Sequence, residues 1–313
     1  MREEAVLFGE MESLIGIVTD PVRRDGNHLA PAAILLNPGI VHRVAPGRIY
    51  VKISRALAAA GFVVLRFDFS GIGDSAARHD SLPFEESAVR EAQEAMDFLK
   101  ATRGIQHFIL LGGCSGAAIA LETTCCDPRV IGGVLINFPI AEDEGGNTNP
   151  ELIQRRAFHY YRNFALANLK SWCRLLTGQS DYRHLIRALG FQAKRRFASG
   201  RKRSSEATRF EANLRRLAGR SIQLTFLCSQ GDLHVDDLRE AGGNELEHLC
   251  ALGRVTLKVI LQSDHTFSSL YDQERLLQVI LEQLDSITPT HGNAAYIPEG
   301  PATPRPKSDP IYR

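Results

Sequence analysis

A thiol and a hydroxyl stand side by side in a turn of small residues at positions 112–116, Gly-Gly-Cys-Ser-Gly. The four apolar residues before this turn, Phe108 to Leu111, are typical of a buried strand, and the small and apolar residues after it favour a helix. A strand, a sharp turn and a helix form a nucleophile elbow, in which small neighbours allow a strained backbone that lifts one reactive side chain above a sheet. The sequence therefore predicts covalent catalysis by Cys114 or Ser115.

A candidate acid and a candidate base follow this turn, each just after an apolar strand. The strand that ends at Cys228 leads to Asp232, and the strand that ends at Leu261 leads to His265. Parallel strands end at the same edge of a sheet, so these loops should converge on the elbow. We expect His265 to accept the proton of the nucleophile and Asp232 to orient the imidazole, whereas Asp264 is the weaker candidate for the acid.

Strand and helix patterns alternate along most of the chain, as a parallel sheet covered on both faces requires. Strands are predicted at 14–18, 32–36, 61–67, 108–111, 130–136, 222–228 and 255–261. Helices are predicted at 48–60, at 83–102, from the elbow to about 126, at 237–250 and at 271–284. The predicted fold class is α/β, with a core formed by residues 1–139 and 221–286.

Two segments depart from this alternation. Residues 151–220 contain 17 Lys and Arg against 4 Asp and Glu, so the region 140–220 is predicted to be a basic, helical cap. Residues 287–313 are polar and contain six prolines, which predicts a flexible tail. A basic surface could contact an anionic partner, but a solvated charged face is an equally ordinary explanation.

The composition indicates a globular protein with 44% hydrophobic residues and a net charge of +1. The first residues include acidic side chains and lack the apolar run of a signal peptide, so a cytoplasmic location is expected, without a membrane span. The six cysteines lack CxxC spacing, which indicates neither a zinc site nor a redox pair. We expect no metal and no cofactor, and we expect Cys125, Cys126, Cys228 and Cys250 to be buried.

The motifs taken together resemble the α/β-hydrolase superfamily, and more narrowly the hydrolases associated with exosortase and exopolysaccharide gene clusters. The residues that carry the resemblance are Asn37 to His42, Arg66 to Ser75, the elbow, Gly231-Asp232 and Asp264 to Phe267. The resemblance covers roughly residues 30–140 and 220–285. It implies an eight-stranded, mostly parallel sheet with a cap inserted after the sixth strand, where the basic segment lies.

The superfamily pattern places a small residue two positions before and two positions after the nucleophile. Gly112 and Gly116 satisfy this rule around Cys114, whereas the frame centred on Ser115 has an alanine at its second site. The resemblance thus favours Cys114, as in dienelactone hydrolases and polyester synthases, and keeps Ser115 as the alternative nucleophile. In the Cys114 frame, the N–H groups of Ser115 and Ile40 are the expected oxyanion donors.

The expected activity is hydrolysis or acyl transfer on an ester or thioester, through an acyl-enzyme on Cys114. His42 and Arg43 lie in the same loop as Ile40 and are possible substrate contacts, with a pair of solvated side chains as the equal alternative. The acyl group could be linked to coenzyme A or to a carrier protein, and a homo-oligomer is possible, whereas nucleic acid is the weaker interpretation of the basic cap. The alternatives are a serine esterase that uses Ser115 and a non-catalytic binding protein of the same fold.

Overall fold

The computed structural model describes residues 1–21, 31–140, 205–230 and 234–288. Its strands are β1 (Arg2–Phe8), β2 (Leu14–Asp20), β3 (Ala32–Leu36), β4 (Val64–Phe67), β5 (Phe108–Gly113), β6 (Val130–Ile136), β7 (Gln223–Ser229) and β8 (Val255–Ile260). Its helices are α1 (Ile49–Ala59), α2 (Phe84–Arg103), α3 (Ser115–Cys126), α4 (Ser205–Leu217), α5 (His234–Ala251) and α6 (Leu270–Ile287), with short 3₁₀ turns at Glu10–Glu12 and Pro46–Arg48.

The eight strands form one sheet in the order β1-β2-β4-β3-β5-β6-β7-β8. The pairs β1/β2 and β2/β4 are antiparallel, and every later pair is parallel. The predicted α/β class and the eight-stranded, mostly parallel sheet are confirmed. In such a sheet the strands from β3 onward end at one edge, where the connecting loops can build a site.

The sheet is covered by helices on both faces, which explains why its central strands are apolar along their whole length. In β5, Leu110 faces a core shared with α2, α3, α4 and α5, whereas Ile109 and Leu111 face a second core shared with α1 and α6. Successive strand side chains point to opposite faces, so a strand buried on both sides shows no alternation with polar residues.

Helix α4 lies within the range predicted as the cap and packs against the main core. The basic charge count assigned residues up to 220 to the cap, but the apolar side chains of α4 pack into the main core. Phe210 contacts the rings of Phe138 and Phe226, and Leu214 and Leu217 are fully buried. The arginines of α4 point outward, so the positive charge of this segment is compatible with an amphipathic helix of the core.

Residues 141–204 of the predicted cap, residues 289–313 of the predicted tail and Asp232 lie outside the described residues. Among the residues that the structure describes, no helix combines the length and apolar surface needed to cross a membrane. The expectation for the cysteines was only partly right: Cys228 is buried, but Cys125 and Cys250 are half-buried and Cys126 is exposed. Cys126 is the last residue of α3, where the helix emerges at the surface.

Candidate active site

Cys114 occupies the connection between β5 and α3, and its backbone is strained. Its φ of 51° and ψ of −124° lie in a region that residues with a side chain rarely adopt. Its N–H donates to the carbonyl of Ile136 on β6 at 2.9 Å, and its carbonyl accepts the N–H of Ala117 at 2.9 Å. These bonds hold the turn from both sides, so the half-buried thiol sits at the tip of a strand-to-helix turn.

Two glycines make this turn sterically possible. A Cβ atom added to Gly112 would lie 2.2 Å from the carbonyl oxygen of Gly116, and one added to Gly116 would lie 2.5 Å from the carbonyl oxygen of Asn37. Gly113 is different, because its added Cβ would meet only ordinary contacts at 3.5 Å and beyond. The glycines that the backbone requires are therefore those placed symmetrically around Cys114.

A buried tyrosine closes the gap where β3 and β5 separate. The phenol of Tyr50 on α1 donates to the carbonyl of Leu36 at 2.8 Å and accepts the N–H of Gly113 at 2.9 Å. These two backbone groups stand at the ends of their strands, and without the phenol they would lose a hydrogen-bond partner in the protein interior. Burial of the ring raises the pKa of Tyr50, so the phenol stays protonated as this geometry requires.

The loop after β3 approaches the first turn of α3. The N–H of Gly39 donates to Oγ of Ser115 at 2.8 Å, while the side chain of Ile40 is 93% exposed. The first N–H groups of a helix have no partner within the helix; in α3 the N–H of Ala117 donates to the carbonyl of Cys114, and the N–H of Ser115 is the candidate donor to an anion. The N–H of Gly39 is thus engaged by the side chain of Ser115, and the oxyanion role of the neighbouring Ile40 N–H stays a prediction.

A buried carboxylate shapes the same loop. Asp68 is fully buried and accepts from the backbone N–H and guanidinium of Arg43 and, at 3.2 Å, from Nδ2 of Asn37. The guanidinium of Arg43 also contacts Asp74 at 2.6 Å. Arg43, predicted as a possible substrate contact, is thus held by two carboxylates in an internal network. His42 is exposed, and its Nδ1 accepts the N–H of Val44 at 3.3 Å.

His265 lies in a loop that its own residues brace on several sides. The carboxylate of Asp264 accepts hydrogen bonds from the N–H groups of Thr266 at 2.9 Å and Ser268 at 3.2 Å. The buried ring of Phe267, a residue with a φ of 51°, anchors the loop in the core. The hydrogen bond from the Ser268 hydroxyl lowers the pKa of Asp264, so its carboxylate remains ionised and keeps these bonds. The side chain of His265 is exposed.

Asn137, the residue after β6, connects the elbow to the His265 loop. The N–H of Cys114 donates to Ile136, and Nδ2 of the adjacent Asn137 donates to the carbonyl of His265 at 2.9 Å. The structure therefore brings together two of the predicted catalytic positions, those after β5 and β8, while Asp232 after β7 lies outside the described residues. Sequence reasoning missed Asn137, although a polar residue directly after a buried strand was a usable signal.

A profile of the Alpha/beta hydrolase family matches residues 34–279. The chain belongs to the alpha/beta hydrolase family. As a member of this family it is an enzyme of the hydrolase type, and the matched range includes the elbow, Asn137 and His265.

Relatives of this hydrolase are distant. It is 34% identical over 97 residues to the human protein ABHD12B, a match that covers 31% of this chain and only 24% of that protein's length. Among solved structures it is similar to the esterase Pf2001 of Pyrococcus furiosus, with a TM-score of 0.55 and 13% identity over 91% of this chain and 90% of that one. It is also similar to a dienelactone hydrolase of Anabaena variabilis, with a TM-score of 0.54 and 15% identity over 91% and 97%. At these identities the solved structures support the fold alone.

We expect Asp264→Asn to lower the kcat of this hydrolase by less than about tenfold, because an amide oxygen still accepts the N–H groups of Thr266 and Ser268. The matched change Asp232→Asn should lower kcat by roughly 10⁴-fold, the cost of removing the acid from a catalytic triad. Steady-state kinetics on an activated ester measures both. The opposite ranking would make Asp264 the acid.

Proposed function

We propose that this hydrolase acts on an ester or thioester through a covalent acyl-enzyme on Cys114, with His265 as the general base and Asp232 orienting it. The observation that carries the proposal is the backbone of Cys114, a non-glycine residue with a φ of 51° between β5 and α3. Strain of this kind persists only where surrounding structure maintains it, and it is concentrated at reactive positions.

In the proposed reaction, the imidazole of His265 accepts the proton of the Cys114 thiol, and the sulfur attacks the acyl carbonyl carbon. The oxygen of the tetrahedral intermediate accepts hydrogen bonds from the N–H of Ser115 and from the N–H of Ile40 in the loop after β3. When the carbonyl re-forms, the alcohol or thiol leaves with the proton from His265. Water, or another acceptor in an acyl transfer, then attacks the thioester with His265 again as the base, and the thiol is regenerated.

The surroundings of Ser115 favour a supporting role for its side chain. Ser115 is the first residue of α3, and its hydroxyl oxygen accepts the N–H of Gly39 at 2.8 Å. Gly113, which would precede a serine nucleophile by two positions, has room for a side chain, whereas Gly112 does not. A serine esterase that uses Ser115 is the second candidate, since its hydroxyl lies in the same turn.

A thiol nucleophile suits activated acyl groups, so we propose thioesters and activated esters as the substrate class. The 17 Lys and Arg of residues 151–220 would favour an acyl group carried on an anionic molecule, such as coenzyme A or an acidic carrier protein.

Intact-mass spectrometry tests the proposed intermediate. Brief exposure to p-nitrophenyl esters and acyl thioesters should add one acyl mass, and peptide mapping should place it on Cys114. The adduct should accumulate in His265→Ala with the most activated esters, because deacylation loses its base. An adduct on Ser115 would establish the serine esterase instead, and no adduct under any condition would favour a binding protein.

A further inference from the structure

Asn137 is a buried side chain for which neither the predicted triad nor the predicted oxyanion hole has a role. It is 2% exposed and follows directly after β6, the strand between the elbow strand and β7. Its φ is 47°, a conformation that asparagine tolerates better than most residues with a side chain. A buried amide is costly unless its donor and acceptor are both satisfied, so the partners of Asn137 define what it does.

The two ends of the Asn137 amide bind backbone groups of the loop that contains the predicted base and of the strand that precedes the predicted acid. Nδ2 donates to the carbonyl of His265 at 2.9 Å, and Oδ1 accepts the N–H of Ser229 at 2.7 Å. Ser229 is the last residue of β7, three positions before Asp232. The backbone of Asn137 is itself fixed, because its N–H donates a hydrogen bond to the carbonyl of Leu227 at 2.9 Å.

We infer that Asn137 is a positioning residue that sets the backbone of His265 relative to the Cys114 elbow and thereby aims the imidazole at the thiol. The inference rests on the proposed function. Only two hydrogen bonds connect the elbow to the loop of the base: the N–H of Cys114 donates to the carbonyl of Ile136, and the side chain of the next residue, Asn137, donates to the carbonyl of His265. A misplacement of about 1 Å between a base and its nucleophile can lower the rate by about 10²-fold.

Two substitutions distinguish the positioning of His265 from a role of Asn137 in the turn alone or in binding Ser229 alone. Asn137→Gly keeps the positive φ and removes both side-chain bonds. Asn137→Asp keeps an acceptor for Ser229 and turns an oxygen towards the carbonyl of His265, which replaces a hydrogen bond with a repulsion. If the contact to His265 matters, both variants lower kcat by about ten- to hundredfold with KM within about twofold.

A second readout needs no substrate. The rate at which iodoacetamide labels Cys114, measured by peptide mapping across a pH series, should move in Asn137→Gly towards the profile of His265→Ala. Labelling of the exposed Cys126 in the same samples should be unchanged. A merely structural defect would instead raise the labelling of every cysteine and lower the melting temperature without changing the pH profile of Cys114.

The outcomes are distinct. Wild-type kcat and labelling in Asn137→Gly would overturn the inference, because the residue would then serve only the turn. A normal kcat in Asn137→Asp beside a low kcat in Asn137→Gly would show that Asn137 acts through its bond to Ser229 and not through His265. This result would also overturn the inference. Cys114→Ala and His265→Ala are made in parallel: if they retain turnover, the proposed function fails and the inference fails with it, whereas their inactivity beside normal Asn137 variants rejects the inference alone.

Discussion

Replacing Cys114 with alanine is expected to lower kcat/KM for activated esters and thioesters by at least about 10³-fold. The sulfur is the only atom of this side chain that can form the acyl-enzyme, and the remaining oxyanion donors cannot replace a nucleophile. Ser115→Ala should lower kcat/KM by less than about tenfold, since it removes one hydrogen bond to Gly39 and leaves the N–H of residue 115 in place. Steady-state kinetics of the purified variants measures both values.

Cys114→Ser is the matched control, because it keeps the size of the side chain and a polar group at the same strained position. It should fold like the wild type by circular dichroism and lose the iodoacetamide adduct at residue 114. A large loss in Ser115→Ala with near-normal turnover in Cys114→Ala would contradict the proposal and assign the reaction to a serine esterase.

Gly116→Ala should disrupt the elbow even though no reactive atom is changed. The new methyl group would lie 2.5 Å from the carbonyl oxygen of Asn37 and 2.6 Å from that of Leu36, so the backbone after β3 would have to move. We expect a loss of about 3 kcal/mol in the free energy of unfolding and of about 10²-fold in kcat/KM, because the same movement shifts the loop that contains Gly39. Urea denaturation and ester kinetics measure the two effects.

Gly113→Ala is the comparison variant, one residue before Cys114 and chemically identical. Its methyl group would lie 3.5 Å from Cβ of Pro38 and 3.6 Å from the phenol oxygen of Tyr50, which are ordinary contacts. It should change the unfolding free energy by less than about 1 kcal/mol. If Gly113→Ala were the damaging change and Gly116→Ala the tolerated one, the turn would be centred on Ser115.

The fold could be predicted from the sequence because its strongest signals are local. Apolar strands alternate with amphipathic helices, and most predicted elements agree with the structure within a few residues. The packing of α4 could not be predicted in the same way, because its buried face depends on contacts with α3, α5 and β7. Such contacts join residues far apart in the chain and leave no local pattern.

For the candidate site, the sequence pattern predicted which residues form the elbow, but it could not predict where individual side chains point. The symmetric spacing of Gly112 and Gly116 around Cys114 could be read directly from the sequence, but only the structure shows that the steric limit at Gly116 comes from the carbonyl oxygens of Leu36 and Asn37. Arg43 looked equally able to face a substrate, but its pairing with Asp68 depends on the approach of the loop after β4.

The sequence by itself determined the α/β alternation, the small residues of the elbow, and the order in which a candidate nucleophile, acid and base follow the strands. These features follow from periodicity and from the steric needs of a single turn. Only the tertiary structure decided that Cys114 has the strained backbone, that Tyr50 joins two strand ends, and that Asn137 holds the carbonyl of His265. Each of these depends on hydrogen bonds between residues distant in the chain, and their geometry exists only after the sheet has formed.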